Sequence, residues 1–90
     1  MSNEIPNNLY QIAPLLIKPG MEIWTDDDEN GYGITKFRVE KVYKKPEAPK
    51  DILVLECINS NFGTLQKILI NLKNPRNLFT GKLYSEWRQI

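Results

Sequence analysis

The chain has 90 residues, 41% hydrophobic and 26% charged, with twelve Lys and Arg against eleven Asp and Glu for a net charge of +1. That is the make-up of one globular domain, which buries roughly 60–65% of its unfolded surface: enough for a modest core, too little for an enclosed active-site cavity. Histidine is absent, which removes the commonest general base, the commonest metal ligand and every Ser-His or Cys-His pairing, so the chain reads as a non-enzyme without cofactor or metal.

Met1 to Asn8 is a polar lead-in. It has no basic region followed by an apolar one, and no apolar run approaches the roughly 18 residues of a membrane span; the expected location is cytoplasmic. The richness in Asn, Lys and Ile suggests an AT-rich genome such as that of a bacterium or phage. From Leu9 to Ile17, apolar residues fall at helical spacing but Pro14 interrupts them. Residues 1–19 therefore read as an N-terminal arm, a helical turn or extended segment packing on a domain of residues 20–90. Lys18-Pro19-Gly20 turns the chain into Met21–Lys45, one long β-hairpin with an acidic tip. Met21, Ile23 and Thr25 share one strand face, and Asn30-Gly31 is a β-turn pair. On the return strand Phe37 and Val39 point one way, and Val42 restores the apolar side at odd spacing. A period-2 strand does that only by slipping phase, which predicts a bulge or bend near Glu40-Lys41.

Residues 44–50 form a polar loop stiffened by two prolines, followed by a nearly continuous apolar strand from Ile52 to Ile58. The lone Cys57 lies within it and reads as a buried small hydrophobe. Asn59 to Gly63 has turn composition. Thr64 to Lys73 is ambiguous: Leu65, Ile68, Leu69 and Leu72 would line a helix, while Ile68, Ile70 and Leu72 would line a strand. Helix propensity favours the first reading and the short preceding turn the second. The strand reading gives a mainly β domain, a small five-stranded barrel; the alternative is an α+β fold with a three-stranded antiparallel sheet and a helix at 64–73. Asn74-Pro75-Arg76-Asn77 breaks the pattern, and Gly81–Ile90 closes the chain as a short strand, or as one helical turn and a strand.

That order of elements is similar to the SH3-like small barrel. Gly81, Leu83, Ser85 and Trp87 stand at spacings like those near the end of an SH3 domain, although Tyr84 occupies the place of an expected proline and Leu55-Glu56 that of an expected tryptophan pair. The resemblance is one of topology over residues 20–90. It implies a peptide-binding groove lined by Asp26, Asp28, Glu29 and Tyr32 from the first long loop, and by Tyr84 and Trp87 from the closing turn. Carboxylates there would steer a basic protein or peptide, and aromatics would supply contact area.

Other constellations have plainer readings. Asp26, Asp28, Asn30 and Gly31 match the opening of an EF-hand loop, but its twelfth position, where calcium takes a bidentate Glu, is Phe37. The cluster reads as a solvated acidic turn. Lys36, Arg38, Tyr43, Lys44 and Lys45 suggest an alternative surface for single-stranded nucleic acid, set against the solvated face of an amphipathic strand. Trp87 reads first as a core plug closing one end of the barrel, with Tyr84 as the exposed member of a C-terminal patch. No glycine-rich phosphate loop is present, since Gly31-Tyr32-Gly33 lacks the later glycine or lysine. The expected function is a non-catalytic protein-interaction module, such as an adaptor, inhibitor or assembly component.

Overall fold

The computed structural model describes residues 8–45 and 51–82. Six strands run through them in chain order: β1 (Tyr10–Gln11), β2 (Glu22–Asp26), β3 (Ile34–Lys44), β4 (Ile52–Asn59), β5 (Leu65–Asn71) and β6 (Phe79–Thr80), with a single 3-10 turn at Pro14–Leu16. They form one antiparallel sheet in the order β1-β6-β2-β3-β4-β5. The molecule is mainly β, and no helix among the described residues is long and apolar enough to cross a membrane.

Alternation builds the core. Met21, Ile23 and Thr25 turn inward, as do Thr35, Phe37 and Val39 across the hairpin, and all six are buried. The hydrophobic cluster continues with Leu53, Leu55 and Cys57 of β4 and Ile68 and Ile70 of β5. Each large apolar side chain here contributes about 1.5–3 kcal/mol by leaving water. The register of β3 on β4 shifts between Val39 and Lys41: Val39 faces Cys57 and Lys41 faces the next residue back, Glu56. Glu40 is the extra residue of a bulge. Beyond it Val42, opposite Leu55, packs against the core at the parity opposite to Val39.

Thr64–Lys73 carries strand β5, so the helix at 64–73 and the α+β alternative are set aside. A helix would bury Leu65 and Leu69 together with Ile68. Instead those two leucines are 58% and 55% exposed, and Gln66, Ile68 and Ile70 are buried. Seven residues of β5 pair with β4, whose hydrogen bonds go to Gln66, Ile68 and Ile70, and alternation wins over helix propensity.

The expected five-stranded closed barrel also needs correction. Among the described residues the sheet has six strands and is not closed. The additional strand is β1, which pairs with β6; Ile12 and Ile17 of the same N-terminal stretch enter the core. The strand that reaches β2 from the C-terminal side is β6, where Phe79 faces Trp24. The closing strand read at Gly81–Ile90 lies, beyond Lys82, outside the described residues.

Among the described residues no strand pairs with the outer edge of β5, and its hydrogen bonds show which groups face outward. The Asn59 N–H donates to Thr64 O at 2.9 Å and the Leu72 N–H to Asp51 O at 2.8 Å, which fixes the ladder's phase. Gln66, Ile68 and Ile70 therefore bond to β4, and Leu65, Lys67 and Leu69 direct their N–H and C=O groups away from it. Across from that edge lie the start of the β2–β3 loop and the β5–β6 connection, which contains Pro75. Among the described residues a side chain, not a strand, spans this side: Arg76 Nη2 donates to Asp26 O at 2.9 Å and to Asp28 Oδ2 at 2.7 Å.

Candidate functional site

The acidic loop is built on its one buried member. Asp27 continues the inward parity of Met21, Ile23 and Thr25, and it is 1% exposed. Its Oδ1 accepts the Asn30 N–H and Gln66 Nε2–H, each at 3.2 Å; its Oδ2 accepts Asn30 Nδ2–H at 3.0 Å and Asn59 Nδ2–H at 2.9 Å. Asn59 also donates to Gln66 Oε1 at 2.6 Å. Burial alone raises the Asp27 carboxyl, but the bonds from Asn30, Gln66 and Asn59 together outweigh it and hold the pKa below the ordinary value. The backbone closes the loop as well, through Asp27 N–H to Gly33 O and Gly31 N–H to Asp27 O, each at 2.8 Å. Gly31 and Gly33 both stand at φ of 72°, the left-handed region that side chains resist.

Because Asp27 turns inward, the reading of Asp26 to Glu29 as a uniformly solvated acidic turn is corrected. Asp26, Asp28 and Glu29 are exposed. Asp28 pairs with Arg76. The carboxylates of Asp26 and Glu29 have no ion pair among the described residues. Tyr32, 57% exposed, packs on Phe62 in the β4–β5 turn, 47% exposed, with ring centroids 5.5 Å apart and planes tilted by 57°. Such a pair is worth about 0.5–1.5 kcal/mol beyond area burial and holds both rings at the surface. Between the loop and the open edge of β5 runs a groove of about 340 Å³, lined by Asp26, Asp28, Glu29, Lys67, Leu69 and Arg76, with Phe37, Gln66 and Ile68 at its floor.

The structure thus brings Asp26, Asp28, Glu29 and Tyr32 to one end of the sheet. Tyr84 and Trp87 lie outside the described residues. Sequence reasoning missed Asp27, Phe62, Gln66 and the β5 edge. Extending the β2 parity by one step would have found Asp27, and the parity of Ile68 and Ile70 would have found Gln66. Phe62 carries no signal beyond an aromatic within turn composition.

The basic strand is differently placed. Lys36 and Arg38 point to the outer face of β3, where Lys36 Nζ lies 3.9 Å from Glu22 and Arg38 Nε 2.8 Å from Glu40. The Tyr43 hydroxyl donates to Glu56 at 2.9 Å, and that hydrogen bond, with burial and the nearby charge, raises its pKa. Lys44 and Lys45 are exposed at the strand end. Cys57 is fully buried in the core, and burial, with the Glu40 charge, pushes its thiol up to about 12, so no reactive thiolate is on offer. Comparison with protein families, with curated proteins and with solved structures finds no match to this chain.

Proposed function

We propose that the chain is a non-catalytic protein-interaction module, an adaptor, inhibitor or assembly component of SH3-like character, that takes a basic segment of a protein partner on its acidic, aromatic-flanked loop. The observation that carries this reading is the division of labour within the loop. Asp27 is consumed in holding the shape, while Asp26 and Glu29 are exposed in the same loop that carries Tyr32 of the exposed Tyr32–Phe62 pair. Carboxylates so held add rate and orientation to an encounter with Lys or Arg, and aromatic rings at fixed positions supply contact area at low entropic cost. The basic strand supports nucleic-acid binding less well, because Lys36, Arg38 and Tyr43 each already have a carboxylate partner.

The test is affinity capture from the native host, comparing the wild type with Asp26→Lys/Glu29→Lys, a variant that leaves Asp27 and the Asp28–Arg76 pair in place. The wild type is expected to retain a protein with a basic segment and the variant to lose it. Equal recovery by both sinks the reading. A labelled single-stranded oligonucleotide provides the control: salt-sensitive anisotropy at low ionic strength would move the assignment to the basic strand.

A further inference from the structure

Among the described residues the outer edge of β5 is unpaired and offers a second kind of recognition, which rests on the interaction reading above. We infer that the partner's basic segment binds as an added β-strand along β5, with its cationic side chains pointing into the groove toward Asp26 and Glu29. Leu65, Lys67 and Leu69 present outward N–H and C=O groups that make no hydrogen bond among the described residues, a row of donors and acceptors at strand spacing. Proteins usually protect such an edge with short strands, prolines, bulges or charge; β5 has seven residues, no proline, no register shift, and Lys67 as its one cation. Leu65 and Leu69 also stay more than half exposed on the outer face.

An added strand has the same period as the one it joins, so its residues alternate between two surroundings. Those on the outer face stand beside Leu65 and Leu69 and are best apolar. Those on the inner face meet the groove, where Asp26 and Glu29 have no ion pair among the described residues and Arg76 is already engaged by Asp28. The fitting segment therefore alternates Lys or Arg with apolar residues. A second copy of this chain fits poorly, because its own β5 would turn Gln66, Ile68 and Ile70 toward the same carboxylates and offer them no cation.

The probe is the peptide acetyl-Val-Lys-Val-Lys-Val-Lys-amide, with its glutamate counterpart as control, titrated into the full chain and followed by amide NMR. Binding of the lysine peptide is expected to slow hydrogen exchange at Leu65, Lys67 and Leu69 about tenfold or more. Lys67→Pro should weaken binding about tenfold while preserving the fold, since the Lys67 N–H takes no part in the ladder to β4. Lys67→Gln should bind like the wild type. If the proline variant does not fold, lysine peptides N-methylated on alternate residues, one set for each register, replace it; one of the two sets should fail to bind. Unchanged exchange at the three amides, with equal affinity for the N-methylated peptides, overturns strand addition. In that case a loss of affinity in Asp26→Asn/Glu29→Gln would still leave the acidic-loop reading standing. Failure of the lysine peptide to bind at about 1 mM, or a dimer in sedimentation that Lys67→Pro abolishes, also overturns the inference.

Discussion

Around Asp27 four donor contacts converge on one carboxylate, one each from buried Asn59 and Gln66 and two from the exposed Asn30. Removing the acceptor strands the buried donors of Asn59 and Gln66, so Asp27→Ala is expected to cost about 2–4 kcal/mol, read as a lower urea midpoint. The pH dependence follows from the same contacts. The folded pKa lies below the unfolded value of about 3.9, so the folded state binds this proton more weakly than the unfolded chain. The stabilisation is complete above about pH 4 and is lost as pH falls through the folded pKa. Urea midpoints between pH 6 and 2 should drop more in the wild type than in Asp27→Asn. Cys57 gives a second residue-scale expectation. With its thiol at about 12 and no exposure, labelling by a thiol reagent at pH 8 should follow global unfolding and rise in parallel with urea denaturation. Labelling of the native protein at the rate of a free thiol would contradict that burial. The role of Asp27 was obscured in sequence by its neighbours, since a run of four acids reads as one charged surface and only strand parity separates the inward member.

At the scale of elements the bulge in β3 makes an unusual demand. Glu40 is the extra residue between Val39 and Lys41, so its deletion leaves Val39 opposite Cys57, Lys41 opposite Glu56 and Val42 opposite Leu55. The deletion variant should fold, with those cross-strand contacts intact by NMR and a straighter strand. Deleting Val54 from regular β4, by contrast, exchanges inward and outward faces along half that strand and should abolish cooperative unfolding. The bulge was legible because apolar parity changes between Val39 and Val42, a pattern with few other solutions. Strand β5 was only half legible. In LQKILIN, helical and strand spacings share Ile68 and differ on Leu65, Leu69 and Gln66; the deciding fact is that Gln66 is buried against Asp27, 39 positions away in sequence. Nothing local encodes that partnership. The two-residue strands β1 and β6 were likewise invisible, because each is defined by its pairing and not by its own pattern.

Taken as a whole, the molecule joins a local meander to a distant clasp. β2 to β5 follow one another through hairpin connections, whereas β6 returns to β2 and β1, bringing Tyr10 opposite Thr80. Side chains reinforce the return: Thr25 Oγ1 donates to Asn77 O at 3.0 Å and Gln11 Nε2 to Asn77 Oδ1 at 3.2 Å. Closing so long a loop is entropically costly before its contacts form, so folding should take milliseconds to seconds. Thr80→Ser should raise the unfolding rate with little change in folding rate, and Val39→Ala should slow folding; stopped-flow chevrons in urea distinguish the two. A Thr80 variant that slowed folding as much as the Val39 variant would reverse this order. The mainly β class was legible from alternation and turn residues. The open edge was not, because whether a sheet closes depends on how far it coils and on what its last strand meets, neither of which is written in any one segment.

The anchoring of Asp27 also bears on how such a protein could change over generations. Its carboxylate and the two glycines fix the course of the loop from beneath, so the side chains at 26, 29 and 32 are displayed without being needed for the loop's course. A chain arranged this way separates what it must keep from what it is at liberty to exchange. Randomising those three positions, with Asp27, Asn59 and Gln66 held constant, should yield a collection of folded molecules that differ in the partner they accept.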